Sequence, residues 1–173
     1  NAENGQLLWK VEAQEPVIGA VTIDNGLAYV GASDHTFRAI DIHTGKVVWK
    51  YGEVKGYIET KPLITVNKVI FGAWDNTLYA LDKNDGKEIW KWTGGLTRMH
   101  FSPAAVWPVA AEGKVFIADP QRALTAIDLE NGKSVWRTFE SQVRETVGLS
   151  EDGKQIYSKT MNNSIVCFAT QGD

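Results

Sequence analysis

Three observations predict an all-β chain folded as a β-propeller of about four four-stranded blades. An eleven-residue motif occurs three times at near-regular spacing. Short β-branched and aromatic runs, punctuated by turn residues, fill the space between its copies. No segment combines helical spacing of apolar residues with capping residues over a useful length. The blades are expected either to close a small ring or to form part of a larger one.

The motif reads AIDIHTGKVVW at residues 39–49, ALDKNDGKEIW at 80–90 and AIDLENGKSVW at 126–136. The N-terminal NGQLLW repeats its second half, with Gly5 and Trp9 spaced like the others. Trp9, Trp49, Trp90 and Trp136 lie 40, 41 and 46 residues apart, the period of one blade rather than one strand.

Each unit supplies its strands in order. VIGAVTI, LAYVGA and TFRAID precede Trp49. KPLITV, KVIFGAW and TLYALD precede Trp90, and SPAAVWPVA, KVFIAD and ALTAID precede Trp136. The Trp segment is the fourth and outermost strand. Asn25-Gly26 and Asp75-Asn76 mark hairpin turns. Within the motif, Asp41, Asp82 and Asp128 are suited to accept backbone N–H bonds in the loop before the outer strand. Gly45, Gly86 and Gly132 can supply its positive φ. Ala39, Ala80 and Ala126 are small where sheets approach, and each Trp is an apolar plate for packing between blades. The structural set is therefore Trp9, Asp41, Gly45, Trp49, Asp82, Gly86, Trp90, Asp128, Gly132 and Trp136.

Composition limits the partners. The 173 residues are 43% hydrophobic and 23% charged, as in an ordinary globular domain, and their net charge of −3 gives no reason to expect nucleic acid. No apolar run reaches the length of a membrane span. Residues 3–173 are assigned to the propeller repeats, with Asn1-Ala2 set aside as a candidate expression-tag remnant. The single Cys167 excludes an internal disulfide.

The motif resembles the PQQ-type propeller repeat, whose pattern is approximately A-x-D-x-x-T-G-x-x-x-W. The resemblance covers essentially the whole chain, and it implies a ring of seven or eight blades. More narrowly, VKGYIETKPL, TRMHFSPAAVWPVA and RETVGLSEDGKQIYSKTM resemble the propeller region beside calcineurin-like metallophosphoesterase domains of Bacteroidetes type. That resemblance implies a longer exported parent and a periplasmic or cell-envelope location. The catalytic quinoproteins of the wider family hold their quinone beside a ring of two adjacent half-cystines. One cysteine cannot make that ring, so neither PQQ nor another cofactor is expected.

The residues present no catalytic constellation, and the chain is read as a non-enzyme. His35 is expected in a hairpin turn and His43 in the motif loop, neither with a neighbour at ligand spacing, so no metal site is expected. The candidate binding region is where the third unit departs from the repeat. Its extra residues include Trp92, Gly94, Gly95, Arg98, Met99, His100 and Phe101, which lead toward the innermost strand. The matching entries of the other units carry Glu59 and Lys61, then Arg144 and Glu145. Glu59, Lys61, Arg98, His100, Arg144 and Glu145 thus form a candidate polar funnel beside the channel. The plainer reading is a set of ion pairs lining a wet channel. Trp107 is expected to pack between blades.

Three functions follow: a non-catalytic scaffold or interaction module, an accessory that shapes access to a neighbouring metallophosphoesterase, and a sensor binding a small molecule in the channel. The last unit has ETVGLS, QIYSKTM and SIVCFAT but no Trp strand, while the N-terminus carries a spare one. Residues 5–10 are expected to close a four-blade ring on their own chain, to join two copies into an eight-blade ring, or to leave the last strand to a longer parent beyond Asp173; a fragment of a larger ring is the favoured reading, with open edges that favour self-association or docking of other domains of the parent.

Overall fold

The computed structural model describes residues 1–94 and 106–171, with residues 145 and 146 described by their backbone alone. Every regular element among them is a β-strand. Blade one comprises β1 (Thr22–Asp24), β2 (Leu27–Gly31), β3 (Phe37–Asp41) and β4 (Val47–Tyr51). Blade two comprises β5 (Leu63–Ile64), β6 (Lys68–Ala73), β7 (Thr77–Asp82) and β8 (Glu88–Thr93). Blade three comprises β9 (Val109–Ala111), β10 (Lys114–Ala118), β11 (Leu124–Asp128) and β12 (Ser134–Thr138). Blade four comprises β13 (Val143–Leu149), β14 (Gln155–Thr160) and β15 (Ile165–Ala169). Each sheet is an antiparallel meander in chain order; the first three have four strands, and the last has three among the described residues.

In blades one to three the innermost strands are shorter than the sequence predicts. VIGAVTI contributes only Thr22 and Ile23 to β1, and KPLITV only Leu63 and Ile64 to β5. Pro16, Pro62 and Pro108 each lack the N–H that a ladder requires, so pairing begins beyond them. Close packing contributes at Gly19, where a Cβ would lie 3.1 Å from the Thr60 carbonyl oxygen.

The outer hairpins share one irregularity. Ala39 faces Trp49, Ala80 faces Trp90 and Ala126 faces Trp136, and the register shifts immediately after each Ala. A bulge at this point turns the strand and re-aims the Trp toward the next blade.

The core lies between blades. Tyr29, Phe37 and Ala39 of blade one pack with Val69, Phe71 and Leu81 of blade two, and the Phe37 and Phe71 rings stack at 4.1 Å. Ile70, Leu78 and Trp90 of blade two join Val115, Phe116 and Ile127 of blade three and Val147 and Ile156 of blade four. Blades two and three are therefore buried on both faces. In blade four Ile156 is buried, whereas its neighbour Tyr157 and the β15 residue Ile165 are exposed.

Candidate functional site

The first two junctions between blades are built by the repeated motif, whereas Trp136, expected as a third docking plate, is half-buried beside Phe116 of its own blade. In blade one the Asp41 carboxylate accepts the N–H groups of His43 and Thr44 and the Thr44 hydroxyl. The Thr44 hydroxyl and N–H hold the Asp41 carboxyl below its ordinary value. Asp82 accepts from the Asn84 N–H, and Asp128 accepts from the N–H groups of Glu130 and Asn131. Gly45, Gly86 and Gly132 then adopt φ of 70°, 73° and 71°.

Each glycine is the floor under a Trp from the preceding unit. A Cβ on Gly86 would lie 2.4 Å from the Trp49 ring, and one on Gly132 would lie 2.7 Å from the Trp90 ring. Trp49 Nε1 donates to the Lys83 carbonyl at 3.1 Å, and Trp90 Nε1 donates to Leu129 at 3.0 Å. Trp9 makes the same dock on blade one, over Gly45, with its Nε1 donating to Ile42 at 2.8 Å. An apolar plate with one satisfied polar tip can be buried without an orphaned donor.

The loop before Trp9 also repeats the motif. Gly5 has φ 71°, and its N–H donates to the Asn1 carbonyl at 2.8 Å, as Gly45 donates to Asp41 at 2.9 Å. The Asn1 side chain accepts the Glu3 N–H in the place of the motif Asp.

A second set of aspartates was not singled out in the sequence. Asp34, Asp75 and Asp119 occupy equivalent turns between the second and third strands of their blades. Asp34 accepts the N–H groups of Gln14 and Thr36 and pairs with Arg38. Burial pushes its carboxyl upward, but Arg38 and the backbone donors outweigh this and hold it below its ordinary value. Asp75 accepts the N–H groups of Lys55 and Thr77 and the Tyr79 hydroxyl. Asp119, fully buried, accepts from Gln121 N–H, Ala123 N–H, the Thr125 hydroxyl and Arg137. The signal was available: Gly-Ala-x-Asp stands at 31–34 and again at 72–75.

The charged candidates separate. Arg98 and His100 lie outside the described residues, and Glu145 is described by its backbone alone. Glu59 is half-buried between buried Ile58 and Thr60, whose hydroxyl donates to the Val106 carbonyl. Lys61 lies over the Trp107 ring, 5.3 Å from its centre. Trp107 itself is 45% exposed, so it differs from the interblade plate the sequence predicts. It stands just outside β9, before Pro108. Arg144 reaches the Met161 sulfur at 3.5 Å and faces Lys159 across the ladder. These two cations, with Thr160 and Asn163, edge an open polar pocket of about 360 Å³.

Of the remaining candidates, His35 sits in its turn with φ 62°, its ring 5.4 Å from that of Tyr57. Among the described residues, no group of three His, Cys, Asp or Glu could hold a metal ion, and no helix is long and apolar enough to cross a membrane.

Comparison with known proteins adds a family context. A family model described as outer membrane protein assembly factor BamB matches residues 1–171. The crystal structure of BamB from Moraxella catarrhalis superposes with a TM-score of 0.77 at 22% identity, covering 93% of this chain and 52% of that one. The computationally designed Ika4 protein superposes at 0.79 and 17% identity, covering 96% of this chain and 99% of that one. A lanthanide-dependent methanol dehydrogenase from Methylacidiphilum fumariolicum (strain SolV) is 41% identical over 51 residues, which are 29% of this chain and 8% of the enzyme. The chain thus spans about half of BamB and a small part of the dehydrogenase.

Proposed function

This chain belongs to the propeller family whose model is described as outer membrane protein assembly factor BamB, and from that premise we propose that it is a non-catalytic scaffold or interaction module of a bacterial cell-envelope protein. The carrying observation is how the motif residues are used. Asp41, Gly45, Trp49 and their counterparts are engaged in loop closure and blade docking, which leaves the polar entries and open faces to meet partners. Lys61 over Trp107 offers an exposed cation beside an aromatic surface, a combination suited to a protein or peptide partner. The module is proposed to work without PQQ, within a longer exported chain whose other domains are its partners. Immobilised protein should retain a cell-envelope protein, and Lys61→Ala with Trp107→Ala should weaken that retention. Turnover of a substrate by the isolated chain would overturn the reading.

A second reading rests on the pocket edged by Arg144 and Lys159. A pair of cations facing each other across a ladder suits an anionic group, as the substrate of an adjoining metallophosphoesterase would provide. Arg144→Ala would then raise the KM of that neighbouring enzyme. An unchanged KM in the Arg144→Ala parent would remove this reading.

A further inference from the structure

We propose that Asn25 is a site of spontaneous covalent modification. Its side-chain amide is open to attack by the Gly26 nitrogen, and loss of ammonia there converts the innermost hairpin of blade one into an aspartyl or isoaspartyl form that releases β1.

Asn-Gly favours this chemistry because glycine has no Cβ to shield its nitrogen or to bar the backbone conformations that the attack needs. The dipeptide stands at 4–5, 25–26 and 131–132, and the structure treats the three differently. In the motif loop the Gly132 N–H donates to the Asp128 carbonyl at 3.0 Å, and the Asn131 amide oxygen accepts the Lys133 N–H at 2.9 Å. The Trp90 ring lies over the same glycine. Nucleophile and electrophile are both engaged. Gly5 and Asn4 make the equivalent two bonds, with the Asn1 carbonyl and the Gln6 N–H.

The turn at 25–26 has neither bond. Among the described residues the Gly26 N–H donates to nothing, and the exposed Asn25 side chain makes one bond, donated by Nδ2 to the Asp24 carboxylate at 3.1 Å. That bond holds the nitrogen that would leave and keeps the carbonyl carbon accessible. With φ of 46° and 78°, the pair forms the tight two-residue turn that Asn-Gly favours. The turn must open before the Gly26 nitrogen reaches Asn25 Cγ, and little holds it shut. β1 is three residues long and pairs with β2 alone, so this hairpin belongs to the least stable part of the blade.

The reaction needs only water. The Gly26 nitrogen bonds to Asn25 Cγ, the Cγ–Nδ2 bond breaks, and the nitrogen leaves as ammonia with the proton that Gly26 gives up. Water then opens the five-membered imide at either carbonyl. One opening leaves aspartate at position 25. The other routes the main chain through the side chain and adds a methylene to the backbone.

The position gives the change its consequence. Either product sets a new carboxylate beside Asp24, whose own carboxylate pairs with Lys83 of blade two at 3.0 Å. The isoaspartyl form also lengthens a turn that places Asp24 opposite Leu27 and Ile23 opposite Ala28, so the register of β1 is lost. The Gly26 carbonyl, which accepts the Ile42 N–H at 3.0 Å, moves with it. β2, β3 and β4 pair without using this turn and stay together.

The test uses the purified chain kept in mildly alkaline buffer and sampled over weeks. Peptide mapping by mass spectrometry, with isoaspartate detected by an isoaspartyl methyltransferase, should find modification fastest at Asn25 and slowest at Asn131, with the exposed Asn4 between them. Aged protein should exchange its amide hydrogens several-fold faster over residues 22–28, with β6 and β7 unchanged. Asn25→Gly keeps a turn of positive φ and removes the amide, so its hairpin should not age. Equal accumulation at Asn25 and Asn131, or none at Asn25, would overturn the site. Loosening with age that persists in Asn25→Gly would overturn the link between the modification and β1. These readouts need no partner, so their failure leaves the module reading untouched.

Discussion

The two inner junctions and the N-terminal dock use the same three parts and differ in what stands behind the Trp. Trp49 and Trp90 sit on strands that are themselves paired, and they are 8% and 7% exposed. Trp9 makes the same contact with glycine and carbonyl, yet its strand is paired with nothing among the described residues and its ring is only half-buried. A repeated contact therefore has no fixed stabilising value. An inner Trp joins two sheets, whereas Trp9 ties a segment to one.

The largest effect should come from the inner plates. Trp90→Ala or Trp49→Ala should lower global stability by about 3–5 kcal/mol in urea melts, because a cavity opens between two blades. An effect below about 1 kcal/mol would break the view that these rings couple the sheets.

The glycine floor separates packing from backbone. Gly86→Ala should cost about 1–3 kcal/mol for displacing the Trp49 ring, added to about 1–2 kcal/mol for the left-handed backbone. Gly26 has φ 78° with nothing within 4 Å of its would-be Cβ. Gly26→Ala should therefore show only the backbone part. Equal losses in the two variants would remove the packing argument.

At the terminal dock, Trp9→Ala should cost less than about 2 kcal/mol in the isolated chain. Its main signature should be faster hydrogen exchange over residues 6–12, with the blade amides unchanged. A loss equal to that of Trp90→Ala would place Trp9 in the same class as the inner plates.

The smallest effect is the pH response of that same end. Asp34 holds the Gln14 N–H and the Arg38 guanidinium, and its folded value is depressed. The stability it contributes is complete above the ordinary aspartate value of about 3.9 and is lost as pH falls through the lower folded value. Exchange of the Gln14 amide should accelerate over that acid range before the blades melt, and Asp34→Asn should flatten the response. A wild-type-like pH profile in Asp34→Asn would assign the change to another carboxylate.

Much of the fold was legible because the motif concentrates its information locally. Asp41, Gly45 and Trp49 lie within one hairpin, so loop geometry and outer-strand position follow from spacing alone. The inner strands were less legible. Their apolar residues at 17–21 look like strand, but Pro16 and the close approach at Gly19 delay pairing until Thr22. The candidate site was legible only as residues. Lys61 meeting Trp107 is a contact across 46 positions, and no periodicity encodes it. The role of Asp34, Asp75 and Asp119 was half-visible as a repeated turn residue with partners in its own hairpin, while Gln14, Lys55 and Arg137 reach them from other segments.

By itself the sequence determined the blade, its four-strand order, the glycine loops and the identity of the docking Trp, since each follows from short-range sterics and a fixed repeat. The tertiary structure decided which faces are covered. Burial depends on what stands on the far side of a sheet, so Ile156 and Tyr157 are adjacent in one strand yet differ completely in exposure. It also decided that Trp9 docks as the inner plates do while its strand pairs with none of the described strands, because a Trp needs only the next blade, whereas a strand needs an edge of its own.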